Sequence, residues 1–497
     1  MSSPPPISTP FSDADSGDGL SSDLTGGHGP ELAAEAGVAS SDSEAVGPGL
    51  SVNRRIFRAA VIVTFFGVLV KVVATLKEFF IAGVFGRSDG MDAFLIAFLV
   101  PNLLVNLFSE SMNQALVPTL VKVRELQGRL QAQELLSSAM LWTCALLTVG
   151  SLVMATLAGP FFPLVVAHFP AAKMVLTERL FYGLLPVVLI AGIASNCTAV
   201  LNTFDRFALP SLAPVVTPVA IVLAAWLLAP RFGIWSLVIG NVVGALIHAS
   251  MMVAMMERHG YRFRLRWHGA NQAIRPAIWE VAGQYGPILL SGLVASGGLL
   301  VDQGMAAMLP SGSVSTLVYA NRFVSVVVNL LAGAVATAVT PYFSQMVARK
   351  DWAGCRHTVN TYVRVTALVS VPIAVAMIWG SHLLIRLTFQ HGAFGPQDTA
   401  AVAPVQAMYA LQLPFFIVSR VFYRYLVAIR KTSLILYCGV INLVLDVVLN
   451  IVLMRWMGVA GIALATSLWT VSTFFFLCYW AYRLMPKTAG PLEPAAA

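Results

Sequence analysis

The chain has 497 residues, of which 58% are hydrophobic and 11% are charged, and its mean hydropathy is +0.78. Soluble globular proteins carry about 25% charged residues, so the composition excludes that class. The formal net charge is +8, and we attribute this basic excess to the cytoplasmic loops of a membrane protein, not to nucleic-acid binding. The chain is therefore predicted to be an all-α polytopic membrane protein.

Residues 1–50 differ in kind from the rest of the chain. They contain eight acidic residues and no Lys or Arg, and they are rich in Ser, Gly and Pro. Such a segment has too little apolar surface to fold, so we predict a disordered acidic tail. It lacks a basic segment followed by an apolar core, which excludes a secretory signal peptide. Without this tail, 31 basic and 15 acidic residues leave a net charge of +16.

Twelve apolar runs follow, each long enough to cross a hydrocarbon core of roughly 30 Å. We place the spans near residues 59–85, 92–119, 135–158, 180–203, 210–229, 234–256, 279–308, 314–346, 360–388, 399–428, 433–454 and 459–482. We group them into an N-terminal six-helix lobe at 51–270 and a C-terminal six-helix lobe at 271–485, followed by a short tail at 486–497.

An even number of spans places both termini on the same side of the membrane. The loops on that side hold 19 Lys and Arg residues, whereas the opposite loops hold five. Basic residues are enriched in cytoplasmic loops, so both termini are predicted to be cytoplasmic.

The two halves of the chain resemble each other. The stretch "DRFALPSLAPVV" followed by "RFGIWSLVIGN" is echoed by "RKTSLILYCGVI" followed by "WMGVAGIALAT". Gly233 corresponds to Gly458 at an offset of 225, and Pro118 to Pro341 at an offset of 223. A nearly constant offset favours duplication over a chance likeness of apolar helices. The repeat predicts two lobes related by a pseudo-two-fold axis along the membrane normal, with a central cavity between them.

Ionisable side chains interrupt several spans. Each costs about 2.5–3.5 kcal/mol at the bilayer centre if it faces lipid, so each needs a cavity or a partner. They are Lys71, Lys77, Glu78, Asp92, Glu110, Asp302, Arg322, Arg364, Arg386, Arg420, Arg424 and Asp446. A functional role competes with simpler explanations for some of them. Arg386 and Arg424 can reach the interface from span ends, Asp446 suits helix packing equally well, and Lys77 with Glu78 suits a structural pair.

Lys71 and Arg322 lie within long apolar runs, one in each half of the chain. A cationic centre lined from both halves would suit an anionic substrate, and an arginine can bind phosphate oxygens through two hydrogen bonds. No Walker loop, Rossmann glycine motif, HExxH or GxSxG motif indicates an enzyme. The eight histidines and five cysteines show no ligand spacing, so we predict no catalytic residue, metal, cofactor or disulfide framework.

Several stretches resemble the MviN/MurJ family. The first is "GVFGRSDGMDAFLIAFLVPNLLVNLFSESMNQALVP", and "LNTFDRFALPSLAP", "VYANRF", "FQHGAFGPQD" and "SRVFY" follow in the family's order. The resemblance implies a flippase of the bacterial inner membrane, within the superfamily of multidrug, oligosaccharidyl-lipid and polysaccharide exporters. Its substrate would be lipid II, the peptidoglycan precursor linked to undecaprenyl diphosphate. The resemblance also implies alternating access, driven by the membrane potential or a monovalent ion gradient.

The resemblance also implies roles for individual residues. Lys71, Lys77 and Arg322 would bind the diphosphate in the cavity. Glu78, Asp92 and Glu110 would be carboxylates of the gate or cavity. We add Asp302, Arg364 and Arg420 as secondary candidates because they lie inside spans.

Three departures from the family pattern keep other substrates open. Val105 and Asn106 follow "PNLL", where the family typically has arginine, and Lys71 and Lys77 replace two arginines of the first helix. Many members also have two further C-terminal helices that form a lipid-tail groove, which we do not predict here. A flippase for another lipid-linked oligosaccharide, such as an exopolysaccharide or O-antigen unit, is therefore the first alternative. A cation-coupled drug exporter and a non-transporting scaffold are less favoured.

Overall fold

A computed structural model describes residues 48–165, 169–202, 208–266 and 271–485, and the described residues from Arg54 onward form one compact unit. The predicted acidic tail up to residue 47 and the predicted C-terminal tail at 486–497 lie outside the described residues. The first helix begins at Pro48, so residues 48–50, which we had assigned to the tail, are helical.

The described residues form helices and no strands. Those of the first half are α1 Pro48–Phe85, α2 Asp89–Leu104, α3 Ser111–Gln127, α4 Arg129–Val165, α5 Ala171–Asn202, α6 Ala208–Leu212, α7 Val216–Phe232 and α8 Trp235–Arg258. Those of the second half are α9 Arg275–Ala306, α10 Ser313–Ala348, α11 Trp352–Trp379, α12 Ser381–Phe389, α13 Pro396–Ala410, α14 Gln412–Ala428, α15 Thr432–Met457 and α16 Val459–Leu484.

Eleven membrane-crossing segments follow α1 in the part of the chain that the structure describes, each long and apolar enough to span. Together with α1, whose bounds enclose the predicted first span, they confirm the twelve-span architecture. Some of these segments contain more than one helix, since α2 continues into α3 and α13 into α14, whereas α12 follows the segment formed by α11. The chain is thus a multi-pass α-helical membrane protein.

The structure also shows the internal repeat. In the first half α8 packs against α7 and α5, and in the second half α16 packs against α15 and α14 in the same way. Gly233 and Gly458 end the corresponding helices α7 and α15 with nearly identical backbone angles, φ +54° and ψ −131° against φ +58° and ψ −131°. This conformation favours glycine because it has no Cβ. The fold confirms the prediction of two related six-helix halves.

The second span changes its helical pitch at the centre of the membrane. Pro101 in α2 has no N–H for the helical ladder, and the six residues Val105–Glu110 that connect α2 to α3 are π-helical. Asn106 and Glu110 are exposed in this segment, whereas Leu107 and Ser109 are buried. The wider turn therefore presents polar side chains on one side of an otherwise apolar span.

Helix α9 contacts both halves of the protein. Its first turns place Ala277 and Val281 in a core cluster with Met112 of α3 and Leu135 of α4. Its later part packs against α15 and α16. At the end where α9 begins, Glu280 lies 3.0 Å from Lys122 of α3, but both side chains are well exposed, so this ion pair contributes little.

Two glycines allow α8 to pack closely on α7. A Cβ on Gly240 would lie 2.7 Å from the Cα of Ile221, and one on Gly244 would lie 2.9 Å from the Cα of Thr217. This spacing of small residues is the usual way for membrane helices to approach closely.

We expect Gly240→Val to lower the free energy of unfolding by about 1–3 kcal/mol, because the new side chain must displace backbone atoms of α7. Thermal unfolding in detergent measures the effect. Gly283→Val in α9 is the matched control, since a Cβ at Gly283 meets nothing within 4 Å. Equal melting temperatures for the two variants would contradict the close α7–α8 contact.

Candidate functional site

A cluster of one carboxylate and two cations joins α1 to α10, that is, the first half of the protein to the second. Lys77 Nζ lies 2.8 Å from Glu78 Oε1, and the Arg322 guanidinium donates to the same oxygen. Glu78 is only 8% exposed, so the ion pairs are shielded from solvent. We call Lys77, Glu78 and Arg322 the cationic cluster, since their formal charges sum to +1.

Arg322 retains hydrogen-bonding capacity within this cluster. Its Nε is buried and has no hydrogen-bond partner among the described residues, while one of its terminal nitrogens is 3.5 Å from the carbonyl of Ala74. Aromatic rings pack beside the cluster, with the Phe79 centroid 5.4 Å from that of Phe323 and 4.8 Å from that of Phe389. An anion that reached Arg322 would therefore meet an unused donor.

Lys71 does not join the cationic cluster. It lies six residues before Lys77 on α1, about 9 Å along the helix, and it is exposed. Lys71 and Glu78 are seven residues apart, so they share one face of α1. In the structure, however, it is Lys77 that pairs with Glu78. The pairing is local because adjacent side chains of this length can reach each other.

A buried polar network connects the two halves at the end where α1 stops. Asp92 of α2 accepts hydrogen bonds from the backbone N–H of Gly312 at 2.7 Å and of Ser315 at 2.9 Å. These N–H groups lie at the start of α10, so Asp92 caps a helix of the other half and interacts favourably with its dipole. Asp92 is only 1% exposed, so these hydrogen bonds are shielded from solvent.

Lys173 at the start of α5 neutralises this carboxylate. Its Nζ lies 3.0 Å from Asp92 Oδ2 and 2.7 Å from Asp89 Oδ1, and 4.1 Å from the ring centroid of Phe169. The sequence predicts Lys173 to be one of the five basic residues in the loops opposite the termini and indicates no partner for it. Its rarity there is the signal that points to it, because basic residues are few in the loops on that side of the membrane.

Arg87 makes the remaining contacts of the network. Its Nε donates to Thr316 Oγ1 at 2.6 Å, and its Nη1 lies 3.4 Å from Asp398 of α13. Ser311 donates to Asp89 Oδ1 at 2.6 Å. We call these groups together the gate network, and they are Arg87, Asp89, Asp92, Lys173, Ser311, Gly312, Ser315, Thr316 and Asp398.

A cavity of about 730 Å³ lies between α3, α9 and α15. Glu110, Asn106 and Gln114 line it from the first half, and Arg420 and Asp446 line it from the second. Lys71, Lys77 and Arg322 are not among its lining residues. Glu110 and Arg420 therefore line the same cavity, and the residues of the cationic cluster are not part of its lining.

Arg420 is half-buried at the wall of this cavity. Its guanidinium carbon lies 4.3 Å from the ring centroid of Phe416 and 5.7 Å from that of Tyr423. Arg364, the other secondary arginine candidate, is exposed on α11 and does not line the cavity.

Two carboxylates share a site between α9, α15 and α16. Asn450 donates to Asp302 Oδ1 at 2.8 Å and to Asp446 Oδ1 at 3.2 Å, and Thr466 lies 3.2 Å from Asp302 Oδ2. Asp446 Oδ2 and Asn450 Oδ1 are buried without a hydrogen-bond partner in the described part of the chain. We call Asp302 and Asp446 the acidic pair.

Comparison with known proteins places this geometry in a family. The family model described as "Lipid II flippase MurJ" matches residues 81–492. The chain belongs to the MurJ family. A probable lipid II flippase MurJ of Vibrio cholerae is 25% identical over 431 residues, covering 84% of this chain and 81% of that protein. The lipid II flippase MurJ of Burkholderia cenocepacia is 29% identical over 382 residues, covering 72% of this chain and 70% of its own length.

Solved structures show the same fold. A MurJ structure described as the inward closed conformation aligns with a TM-score of 0.73 at 23% identity, over 85% of this chain and 87% of that one. An inward-facing multidrug-resistance MATE transporter of the MOP superfamily aligns with a TM-score of 0.71 at 10% identity, over 85% and 97% of the two chains. The MurJ fold is therefore shared with transporters of the wider superfamily.

Asp92→Ala is expected to open the contact between the halves, because it removes the cap of α10 and leaves Lys173 buried without one of its partners. Removing one partner of a buried ion pair typically costs about 3–5 kcal/mol. Spin labels at the exposed residues Ala172 and Gln397, one in each half, would then show a longer distance in pulsed electron spin resonance. Glu178→Ala is the control, since Glu178 accepts a hydrogen bond from Tyr182 of its own helix. Unchanged distances in Asp92→Ala would contradict the assigned role.

Proposed function

We propose that this MurJ-family protein is a flippase that moves lipid II from the cytoplasmic to the periplasmic leaflet of the bacterial inner membrane. The family and the printed names of its relatives support this function. The observation that carries the proposal is the cationic cluster, in which α1 and α10 of opposite halves hold one internal carboxylate. A diphosphate is the anionic group that the substrate would bring to such a site.

The charges of the cluster support diphosphate binding. Glu78 is an anion already held by Lys77 and Arg322, so a diphosphate with more negative charge would compete with it for both cations. The free Nε of Arg322 adds a donor, and the exposed Lys71 adds a further positive charge nearby on α1. Binding would thus replace the Glu78 contact between the halves with a substrate-mediated one.

Alternating access follows from the gate network. The distribution of basic loop residues supports cytoplasmic termini, and in that orientation the gate network would lie at the periplasmic end. Asp92 and Lys173 hold that end closed in this state, and the outward-open state would require these hydrogen bonds to break. The substrate and the driving force together would supply the free energy for this change.

The acidic pair supports coupling to a monovalent cation or a proton. Two carboxylates that accept from the same Asn450 amide lie close enough to repel each other unless a proton or a cation neutralises one of them. Asp446 Oδ2 and Asn450 Oδ1 are unpartnered oxygens that such a cation could bind, and Asp302 and Thr466 supply two more. Occupancy of this site would pull α9 against α15, and α9 also contacts the first half.

Wild-type protein should rescue cells depleted of their lipid II flippase, whereas Arg322→Ala and Lys71→Ala should fail. We expect transport to fall about 10- to 100-fold for Arg322→Ala, as the loss of hydrogen bonds to a charged group predicts. Arg322→Lys should retain part of the activity, because it keeps the charge but loses the planar fork. Growth and accumulation of lipid II in inverted vesicles are the measurements.

Arg231→Ala, an exposed arginine at the end of α7, is the matched control and should rescue fully. Failure of well-inserted wild type would overturn lipid II as the substrate. Rescue of a different strain, one that lacks its flippase for another lipid-linked oligosaccharide, would then identify the alternative substrate.

Asp446→Asn should abolish the stimulation of transport by an ion gradient, because it removes one negative charge and the unpartnered oxygen of the acidic pair. Transport in proteoliposomes at fixed membrane potential, with separate Na⁺, K⁺ and proton gradients, measures the effect. Asp351→Asn is the control, since Asp351 caps α11 through Gly354 N–H at 2.8 Å and asparagine caps equally well. Gradient dependence that survives in Asp446→Asn would exclude the acidic pair as the coupling site.

A further inference from the structure

A second, apolar concavity lies between α4 and α9, with one residue from α3. Its volume is about 270 Å³, and its lining includes Leu135, Trp142 and Leu146 of α4 and Ile278 and Ala282 of α9. Among its lining residues only Ser138, Trp142 and Tyr285 carry a side-chain polar atom. We call this concavity the apolar slot.

The position of the slot indicates what can fill it. Both α4 and α9 are membrane-crossing helices, and the lining that they give the slot is almost wholly apolar. Leu135 and Leu146 lie about 9 and about 26 Å along α4 from Arg129, which is at the end rich in basic residues. Trp142 is 49% exposed at its rim. The slot therefore suits a hydrocarbon chain better than a polar ligand.

The slot adjoins the large cavity along two helices. On α3, Met112 lines the slot and Ser111 lines the cavity, and on α9, Tyr285 lines the slot and Pro287 the cavity. The Tyr285 hydroxyl is 3.4 Å from the carbonyl oxygen of Phe108, so its ring is held at the boundary between the two spaces. One amphiphilic molecule could therefore occupy both.

The two spaces differ in polarity in the way that a lipid-linked glycan requires. The cavity presents Glu110, Asn106, Gln114 and Arg420, whereas the slot presents mainly aliphatic and aromatic side chains. Burying a hydrocarbon chain against an apolar lining is favourable, whereas burying a glycan there would cost the hydrogen bonds of its hydroxyl groups to water.

We propose that the apolar slot between α4 and α9 holds the polyprenyl tail of the lipid-linked substrate at the start of its passage, when its polar headgroup occupies the adjoining cavity and its diphosphate has not yet reached the cationic cluster. This proposal rests on the proposed flippase function and deepens it, since it assigns the tail a site within the helices that the structure describes. The end of the slot near Arg129 is on the cytoplasmic side in the proposed orientation, where the substrate begins its passage.

Two ligands, one with a hydrocarbon tail and one without, provide the test: undecaprenyl diphosphate and inorganic diphosphate. Ala282→Trp fills the slot and should weaken binding of undecaprenyl diphosphate about tenfold, while binding of inorganic diphosphate stays as in wild type. Ala145→Trp is the matched control, because Ala145 is exposed on α4 and does not line the slot. Equal losses for both ligands in Ala282→Trp, or no loss, would overturn the proposal.

A second measurement uses the wild-type chain and does not depend on how a variant folds. An undecaprenyl diphosphate with a photoreactive diazirine at the end of its tail should label the segments 135–146 or 278–285. Labelling elsewhere would overturn the proposal. So would loss of the label when ordinary phospholipid is added at equal concentration, because the slot would then hold bulk membrane lipid.

The outcomes separate this proposal from the function on which it rests. If wild type does not rescue lipid II transport but Ala282→Trp still weakens binding of undecaprenyl diphosphate alone, the slot stands and the lipid II function fails. If wild type rescues transport and Ala282→Trp affects both ligands alike, the flippase stands and the slot fails.

Discussion

The structure depends on one constraint, which is that polar groups within the hydrocarbon region have no water to satisfy them. Asp92 is the clearest case, because it is almost fully buried and yet carries a charge. It is tolerated only because Lys173 and the first N–H groups of α10 surround it. The groups that satisfy it come from both halves of the protein, so the contacts that stabilise this one charge also join the two halves.

The same constraint shapes the other two polar sites. In the cationic cluster, Glu78 receives Lys77 from its own helix and Arg322 from the other half, with one donor of Arg322 left unpaired. In the acidic pair, Asp446 keeps an unpartnered oxygen among the described residues. Incomplete satisfaction in a membrane interior is costly, which is the reason for our proposal that a substrate anion and a coupling cation bind at these positions.

Helix α9 connects the acidic pair to the first half of the protein. It carries Asp302 near one end and packs Ala277 and Val281 into the core of the first half at the other. It also borders both the large cavity and the apolar slot. A change at the acidic pair that moves α9 would therefore alter the large cavity, the slot and the packing between the halves together, which is the kind of coupled change that our alternating-access proposal needs.

The amino-acid sequence alone determined the class of protein, the twelve spans and the duplication, because hydrophobic length and a constant offset are local properties that need no tertiary structure. It also identified the charges that need partners, including Asp92, Glu78 and Arg322. It did not determine the partners. Lys173 lies 81 residues from Asp92, and the N–H groups that Asp92 caps lie over 200 residues away. It also grouped Lys71 with Lys77 and Arg322 in one cavity, whereas only the last two meet at Glu78. Such pairings depend on how helices pack, and the folded structure alone decided them.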